Sequence, residues 1–328
     1  MTQMRGVRPG DRSELSALWS LRFDDSPSFI DWFFQERFSP RHSFCIEDAD
    51  RIVSVIHGWP MRLHLRDVPL PALMLCGVAT RPGYERRGHM HALMRETLQF
   101  ARENGFPLLF HKPNRLESYA SLEQLPCTET LYHRVSGDRS AVAFSDKWDA
   151  DELLAVYRAA TARYSGYVER DSAAMRLKLR DYRADGARLV RCPGGYAVLF
   201  EQEAGLFGEE VLAVDKSAYR KLLQRLPMGA LLKLPPDLPF SGEIRPQNVI
   251  AAADIGALLS ALCGNPDIAF AVSDPAVPQN NGVFDGSGAA SSSAPSLRLS
   301  AGELVQRLCG YQGDAVFEKR VCFCVDEY

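Results

Sequence analysis

The stretch Gly77–Gly105, GVATRPGYERRGHMHALMRETLQFARENG, decides the fold of this chain. It continues an apolar segment of strand length, is broken at Arg81-Pro82-Gly83, and then takes on the apolar spacing of a helix. A helix N-terminus carries unpaired N–H groups and a partial positive charge, so Arg86-Arg87-Gly88 at this point favours an anion such as a pyrophosphate. A solvated arginine cluster is the alternative explanation.

The composition limits the class of protein. The chain has 328 residues, 46% hydrophobic and 24% charged, which is typical of a soluble globular protein and predicts two or three domains. A net charge of −3 argues against a general nucleic-acid binder. The N-terminus lacks the apolar core of a signal peptide, and no apolar run reaches the length of about 18 residues that a membrane span needs.

The eight cysteines are scattered and make no CxxC pair. This pattern predicts buried, reduced thiols in a cytoplasmic protein, with no metal site. Cys322 and Cys324, two positions apart in VCFCV, leave a metal pair open as an alternative.

Periodicity predicts a mixed α/β domain in the first part of the chain. Its elements follow the order β–α–α–β–β–β–α–β and close near residue 138. The segment 70–80 is mostly apolar, which predicts a central strand buried on both faces, and Gly105 is expected to end the helix. The predicted strands lie near 4–8, 43–49, 51–65, 70–80 and 106–113, and the predicted helices lie within 10–38 and from Met90 to Glu103.

The second part of the chain alternates helical and strand patterns. A proline cluster at 235–239 marks a boundary within it. The predicted helices lie within 149–183, 216–227, 252–263 and 300–310, the strands lie within 187–215 and 268–274, and a terminal strand is expected at 319–328.

The opening stretch resembles motif A of the GNAT N-acetyltransferases, a strand followed by R/Q-x-x-G-x-G/A and a helix. Neither a Rossmann GxGxxG nor a Walker A motif is present, which argues against these two nucleotide-binding folds. In the GNAT family the strand pairs with the pantetheine arm of CoA, and the amides of the turn hold the pyrophosphate. The resemblance therefore implies a CoA site formed by Val78, Ala79, Thr80, Arg86, Arg87, Gly88, His89 and Met90.

Two residues of this motif depart from the family pattern. Glu85 stands where arginine or glutamine is usual, which places negative charge near a phosphate. Met90 stands where glycine or alanine is usual, and a large apolar residue at this position is similar to the Eis-like branch of the family.

The segment FHKPNRLESY, residues 110–119, resembles the stretch of the same branch that ends in the catalytic tyrosine. The resemblance implies that Tyr119 is the general acid, because a phenol can protonate a departing thiolate while staying neutral at pH 7. A surface aromatic is the alternative. Asn114 is expected to hydrogen-bond CoA, with a turn role equally open, and Leu122-Glu123 replaces a Gly-Phe or Phe-Gly pair of the family.

The resemblance to the Eis-like architecture covers the whole chain. ERDSAAMRLKL is similar to an R-D-x-x-x-W segment of that branch, with Met175 in place of tryptophan. It implies an α/β fold with a mixed sheet: a GNAT acyltransferase domain at 1–138, a trimmed, degenerate GNAT-like domain at 139–240, and a sterol-carrier-like α/β domain at 241–328. The same branch implies a homo-oligomer.

In this branch the C-terminal carboxylate acts as the base. The resemblance gives this role to the α-carboxylate of Tyr328, with Glu327 near the acceptor. An alkyl ammonium must lose a proton before it attacks a thioester, and carboxylates both attract the cation and accept the proton. Asp24 and Asp25 in FDDSP are further candidates for the acceptor pocket, although such a sequence also forms an ordinary helix-entry turn.

The sequence therefore predicts an acetyl-CoA-dependent N-acetyltransferase that needs no metal. The acceptor is expected to be a primary amine of a small molecule, resembling an aminoglycoside, a polyamine or lysine, which attacks directly in a ternary complex. Neither a nucleic acid nor a membrane is expected as a partner. The alternative is a non-catalytic acyl-CoA or lipid-binding sensor or carrier, which the departures at Glu85 and Leu122-Glu123 keep open.

Overall fold

The computed structural model describes residues 2–136 and 142–326. They form two compact units. Unit 1 contains residues 2–127 and Asn248–Arg320, and unit 2 contains the described residues of 128–247 together with Val321–Asp326. The three-domain division predicted from the sequence stays a prediction.

The helices and strands are as follows. The helices are α1 (Arg12–Arg22), α2 (Pro27–Trp32), α3 (His89–Glu103), α4 (Glu117–Ala120), α5 (Ala150–Thr161), α6 (Ser172–Ala184), α7 (Lys216–Leu223), α8 (Ile255–Leu262) and α9 (Ala301–Leu308). The strands are β1 (Gln3–Gly6), β2 (Ser43–Asp48), β3 (Arg51–Leu65), β4 (Val68–Thr80), β5 (Leu108–His111), β6 (Leu125–Pro126), β7 (Glu129–Arg134), β8 (Tyr167–Val168), β9 (Arg188–Cys192), β10 (Gly195–Gln202), β11 (Gly205–Ala213), β12 (Leu231–Leu234), β13 (Glu243–Pro246), β14 (Val249–Ala252), β15 (Ala269–Ser273), β16 (Gly282–Asp285) and β17 (Leu297–Ser300).

The main sheet of unit 1 has the order β1-β2-β3-β4-β5-β14-β6. Neighbouring strands are antiparallel except β4 and β5, which run parallel. The mixed α/β class predicted from the sequence is confirmed. Helix α3 packs on one face through Leu93, Met94 and Leu98, while the other face carries a cluster around Trp19 and Phe33.

Strand β4 lies at the centre of this sheet. Its residues Ala72–Cys76 are at most 5% exposed, which confirms the predicted central strand. Gly105 follows α3 with φ +76°, as expected of a residue that ends a helix.

The parallel strands β4 and β5 separate part-way along the sheet. Among the described residues their pairing runs from Ala72 to Met74, whereas β4 continues to Thr80 alongside β3. The β3–β4 register shifts at a bulge, in which Gly77 and Val78 lie between the paired positions Cys76 and Ala79. Beyond Met74 the β5 side of β4 therefore has no paired strand among the described residues, and this unpaired edge is called the gap below.

The bulge requires glycine for two reasons. Gly77 has φ +55°, a left-handed conformation that costs other residues about 1 kcal/mol. A Cβ at this position would also lie 2.3 Å from the ring of Trp19. The sequence LCGVAT thus fixes the position of the bulge in β4.

The segment after residue 248 completes unit 1. Strand β14 inserts between β5 and β6, and β15–β17 form a three-stranded sheet with α8 and α9 nearby. Helix α9 is tied to the region of β6, because Gln306 Nε2 donates to the carbonyl of Pro126 at 2.6 Å.

Unit 2 contains a sheet with the order β13-β7-β12-β11-β10-β9. Helix α7 packs against β9–β11, and α5 and α6 contribute to a second cluster that includes Phe323 and Val325. The predicted terminal strand is wrong for residues 321–326, which form an isolated bridge between Cys322 and Ser165. The backbone there bonds to Ser165 and to the first residue of β7. The N–H of Phe323 donates to the carbonyl of Ser165 at 2.9 Å and the N–H of Glu129 donates to the carbonyl of Cys322 at 3.0 Å, without forming a ladder.

We expect Gly77→Ala to lower the melting temperature more than Gly105→Ala. Both positions have positive φ, but a Cβ at Gly105 meets nothing within 4 Å, so that variant isolates the backbone cost. The extra clash with Trp19 should add about 1–3 kcal/mol of destabilisation. Equal losses in thermal denaturation would show that the bulge can relax around an added methyl group.

Candidate active site

The loop between β4 and α3 contains three left-handed residues. Gly83, Arg86 and Gly88 have φ values of +85°, +60° and +81°. A Cβ at Gly83 or Gly88 would meet nothing within 4 Å, so both glycines face open space. This backbone leaves a concave turn ahead of α3.

The amides of this turn are available to a ligand. Within the described chain, no backbone N–H from Arg86 to His91 donates a hydrogen bond, and the N-cap residue Gly88 has no side chain to cap α3. Successive free amides at a helix N-terminus form an anion-binding site, with the helix dipole adding a partial positive charge. The turn thus suits a pyrophosphate.

Arg86 and Arg87, the two arginines of the turn, differ in their contacts. Arg87 Nη2 donates to the carbonyl of Gly83 at 2.6 Å, and its guanidinium lies 4.7 Å from the ring centroid of Tyr84. Arg87 therefore braces the loop. Arg86 is exposed and has no ion-pair or hydrogen-bond partner among the described residues, so its charge is free to meet a ligand.

Glu85 is held by the protein itself. Its carboxylate accepts a hydrogen bond from the N–H of Gly83 at 2.7 Å and lies 3.1 Å from Arg22 Nη1 of α1. Hydrogen bonds from the backbone at Glu85 and Gly83, helped by Arg22, lower the pKa of this carboxyl. The negative charge at this unusual position is thus ionised and partly balanced.

The end of β4 presents its backbone to the gap between the strands. The N–H of Arg81 donates to Val53 of β3 at 2.8 Å, and the carbonyl of Ala79 accepts from Ser54 Oγ at 3.0 Å. Because backbone groups alternate along a strand, those of Val78 and Thr80 point away from β3. The backbone groups of Val78 and Thr80, which the sequence predicts to pair with pantetheine, therefore face away from β3. The side chain of Ala79 is buried, and its carbonyl faces β3.

Tyr119 lies on α4, against the same core cluster as Val78 and Met90. Its ring meets that of His111 edge-on at a centroid distance of 4.7 Å. Burial raises the pKa of the Tyr119 phenol, so the hydroxyl stays protonated at neutral pH. The structure thus brings three of the predicted site residues onto one cluster.

The other predicted site residues are placed as follows. Asp25 accepts a hydrogen bond from Trp19 Nε1 at 2.7 Å, whereas Asp24 and Asn114 are exposed. His89 begins α3, and its Nε2 is buried without a hydrogen-bond partner among the described residues. The predicted residues Glu327 and Tyr328 lie outside the described residues.

His57 is a candidate functional residue that was not predicted from the sequence. It is 2% exposed, and its ring lies within 6.0 Å of the ring centroids of Trp19, Phe33, Phe34 and Phe38. It lies on β3, paired with Cys76 beside the bulge. One histidine in a strand pattern gives no signal of this position, because the surrounding rings come from the two N-terminal helical segments.

The tautomer of His57 follows from its neighbour. Ser43 Oγ donates to the carbonyl of Ser39 at 2.8 Å, so it must accept from His57 Nδ1, which is 3.0 Å away. Nε2 is therefore an acceptor, and it is buried without a partner among the described residues. Burial lowers the pKa of His57 to about 3, which keeps the ring neutral.

Residues 2–136 and 142–326 contain no cluster of three or more His, Cys, Asp or Glu side chains arranged to hold a metal ion. Within the same residues no helix is long and apolar enough to cross a bilayer.

Comparison with known proteins identifies the N-terminal fold. The family model described as an acetyltransferase (GNAT) domain matches residues 3–123, which include β4, the turn, α3 and Tyr119. Residues 3–123 are thus similar to a GNAT acetyltransferase domain. This family binds an acyl-CoA as its acyl donor, and the free amides beside the strand gap fit that ligand.

Solved structures extend the likeness over the full chain. Eis1 from Mycobacterium abscessus is 17% identical, with 100% of both chains covered and a TM-score of 0.77. A GCN5-related N-acetyltransferase from Kribbella flavida is 16% identical, with 100% of this chain and 98% of that chain covered and a TM-score of 0.75. One from Anabaena variabilis is 14% identical, with 100% of both chains covered and a TM-score of 0.76. At these identities the likeness establishes the fold alone, which is Eis-like. No curated protein sequence matches the chain.

We expect Glu85→Gln to tighten acyl-CoA binding by about two- to fivefold at low salt, with less effect at high salt. Glutamine keeps an acceptor for the N–H of Gly83 and removes a negative charge near the phosphates. Isothermal titration checks this, with Glu103→Gln at the far end of α3 as the control. Weaker binding in Glu85→Gln would mean that the pairing with Arg22 orders the loop more than its charge opposes the ligand.

Acidification should destabilise the fold through two buried histidines. Burial lowers the pKa of His57 to about 3 and that of His111 to about 4. Between pH 6.5 and these values the unfolded chain binds protons that the folded chain does not, so stability falls as pH falls, by up to about 1.4 kcal/mol per pH unit for each group. Denaturant melts at pH 7 and 5 measure this slope. His57→Phe should flatten it, and an unchanged slope would contradict the role given to His57.

Proposed function

We propose that this protein transfers an acetyl group from acetyl-CoA to a primary amine of a small molecule, such as an aminoglycoside-, polyamine- or lysine-like compound. The amine attacks the thioester directly in a ternary complex. The single observation that carries the proposal is the gap between β4 and β5 beside the free amides of Arg86–His91. We extend the proposal to the three domains predicted from the sequence and to a cytoplasmic homo-oligomer.

The donor half of the proposal rests on backbone groups. The amides from Arg86 to His91 would bind the pyrophosphate, and Val78 and Thr80 would pair with the pantetheine arm along the gap. The N–H of Val78 would then polarise the acetyl carbonyl and stabilise the oxyanion that forms during attack. Arg86, which is exposed, would supply a positive charge to the ligand, while Arg87 braces the loop.

Tyr119 would act as the general acid. Its side chain is half-buried against the same core cluster as Val78 and Met90, and burial raises the pKa of the phenol. When the tetrahedral intermediate collapses, the C–S bond breaks and the departing thiolate takes the proton of Tyr119. His111 positions the ring from one edge.

The acceptor half needs negative charge and a base. An alkyl ammonium is attracted by carboxylates, and it must give up a proton before its nitrogen can attack. We assign the proton to the α-carboxylate of Tyr328 and the attraction to Glu327, Asp24 and Asp25. Asp25 is oriented by Trp19 Nε1, and Asp24 is exposed at the entrance to α2.

Release of CoA thiol from acetyl-CoA over a panel of amines tests the proposal. We expect Tyr119→Phe to lower kcat about 10²-fold or more with the affinity for acetyl-CoA within twofold of the wild type. Because burial raises the pKa of Tyr119, the wild type should stay active to a higher pH than an exposed phenol would allow.

Tyr84→Phe is the matched control, since it also removes a half-buried phenol near the turn without touching the proposed acid. Thermal stabilisation by acetyl-CoA without thiol release for every amine would overturn amine acetylation. An unchanged kcat in Tyr119→Phe would overturn the role of the phenol alone.

A further inference from the structure

A buried hydrogen bond joins the end of β5 to the segment that follows α4. His111 Nε2 lies 2.7 Å from Gln124 Oε1, and the two residues are 3% and 1% exposed. An amide oxygen can only accept a hydrogen bond, so Nε2 of His111 carries the proton. Burial lowers the pKa of His111 to about 4, so the ring is neutral and its Nδ1 keeps a lone pair. Gln124 therefore selects one of the two neutral tautomers of His111.

The same histidine contacts the proposed general acid. The rings of His111 and Tyr119 meet edge-on, with a centroid distance of 4.7 Å and an interplanar angle of 71°. Among the described residues no hydrogen bond holds the hydroxyl of Tyr119, so the direction of this side chain depends on the groups packed around it. A rotation of the His111 ring would therefore move the phenol.

The backbone before Gln124 has an unusual conformation. Glu123, of the pair Leu122-Glu123 that departs from the family pattern, has φ +56°, a left-handed conformation that is unfavourable for a residue with a side chain. The N–H of Gln124 donates to the carbonyl of Tyr119 at 3.3 Å. Backbone strain of this kind persists only where the surrounding structure enforces it. The turn returns the chain from Tyr119 to the position from which Gln124 reaches His111.

Helix α9 holds this turn in place. Glu123 Oε2 accepts a hydrogen bond from the N–H of Gly302 at 3.2 Å, at the end of the helix where the dipole favours a negative charge. Gln306 Nε2 donates to the carbonyl of Pro126 further along the same segment. A Cβ at Gly302 would lie 2.7 Å from the carbonyl oxygen of Glu123. Glycine is therefore needed for the helix to approach this closely.

Stability alone does not account for a glutamine at this position. Gln124 Nε2 is buried without a hydrogen-bond partner among the described residues. An unsatisfied buried donor lowers stability, and an apolar side chain of similar size would avoid that loss. What Gln124 adds is an oxygen aimed at one nitrogen of His111, which favours a role in fixing that ring.

We propose that Gln124 is a positioning residue that holds His111 as the neutral Nε2–H tautomer and so keeps Tyr119 directed at the departing sulfur. This inference rests on the proposed role of Tyr119 as the general acid. Glu123 and Gly302 keep the amide of Gln124 in place, which gives α9 a part in the reaction. Gln124 acts through His111 and Tyr119 and is not itself a catalytic residue.

The first test reads the tautomer without using activity. Nitrogen NMR of the full chain with isotope-labelled histidine shows which ring nitrogen carries the proton, and His111→Phe identifies the His111 signals. We expect the proton on Nε2 of His111 and on Nδ1 of His57, so the two buried histidines serve as opposite standards. Gln124→Leu should populate the Nδ1–H form of His111. An Nδ1–H form in the wild type, or a pure Nε2–H form in Gln124→Leu, would overturn the proposal.

The second test is a double-mutant cycle in kcat. Gln124→Leu should lower kcat by roughly fivefold or more, because the acid is misplaced, while the KM for acetyl-CoA stays within about twofold of the wild type. In Tyr119→Phe the same substitution should change kcat by less than about twofold, since no acid remains to be positioned. An equal loss in both backgrounds would reveal a general structural effect and overturn the proposal. Gln124→Met keeps the unbranched shape and serves if Gln124→Leu does not fold.

The third test addresses α9 with a matched control. Gly302 and Gly256 are the second residues of α9 and α8, and a Cβ at Gly256 would lie 2.9 Å from the carbonyl oxygen of Gly288. Both alanine variants should lower the melting temperature, but only Gly302→Ala should also lower kcat, by roughly threefold or more. Equal kcat values in the two variants would overturn the part assigned to α9.

Tyr119→Phe separates this inference from the proposed function. If Tyr119→Phe lowers kcat but Gln124→Leu and Gln124→Met match the wild type, the role of Gln124 is overturned and the general acid stands. If Tyr119→Phe leaves kcat unchanged, the acid is overturned and the catalytic part of this inference falls with it. The tautomer measurement then still decides whether Gln124 holds His111.

Discussion

The separation of β4 from β5 after Met74 is the constraint on which the rest of unit 1 depends. A parallel pair that stayed together would satisfy the backbone of Val78 and Thr80 internally and leave nothing for a ligand. The bulge at Gly77 follows in the β3–β4 pairing, and Trp19 fills the space that a side chain at this position would need. The loop and α3 then begin at the mouth of the opening. Fold and site are consequences of one irregularity in the sheet.

Local sequence patterns predicted many of the helices and strands correctly. The bounds of β3 follow from the alternation of apolar and polar residues, and the end of α3 follows from the left-handed Gly105. Both signals lie in residues that are neighbours in the sequence. The GNAT fold was recognised from the motif around Arg86-Arg87-Gly88. The terminal strand was wrong, because an apolar run with two cysteines has the composition of a strand, while its partner is the turn at Ser165.

Contacts between residues that are far apart in the sequence could not be predicted. Nothing near Glu85 in the sequence shows that Arg22 will balance its charge, and Gly302 lies 179 positions after Glu123. His57 looks like an ordinary strand residue until the aromatic rings of two helical segments close over it. These interactions depend on topology, which periodicity does not encode. The sequence could therefore name the strand and the turn of the site but not the residues that hold their charges in place.

The position of β14 has a consequence for how the protein is made. Val249–Ala252 lies between β5 and β6, although more than 120 residues separate it from β6 in the chain. While the ribosome is still producing unit 2, β5 presents an open edge, and such edges invite pairing with other chains. The main sheet of unit 1 therefore stays incomplete in the nascent protein until β14 has been synthesised. Its folding should be slow for its size, because the decisive contact spans so much of the chain.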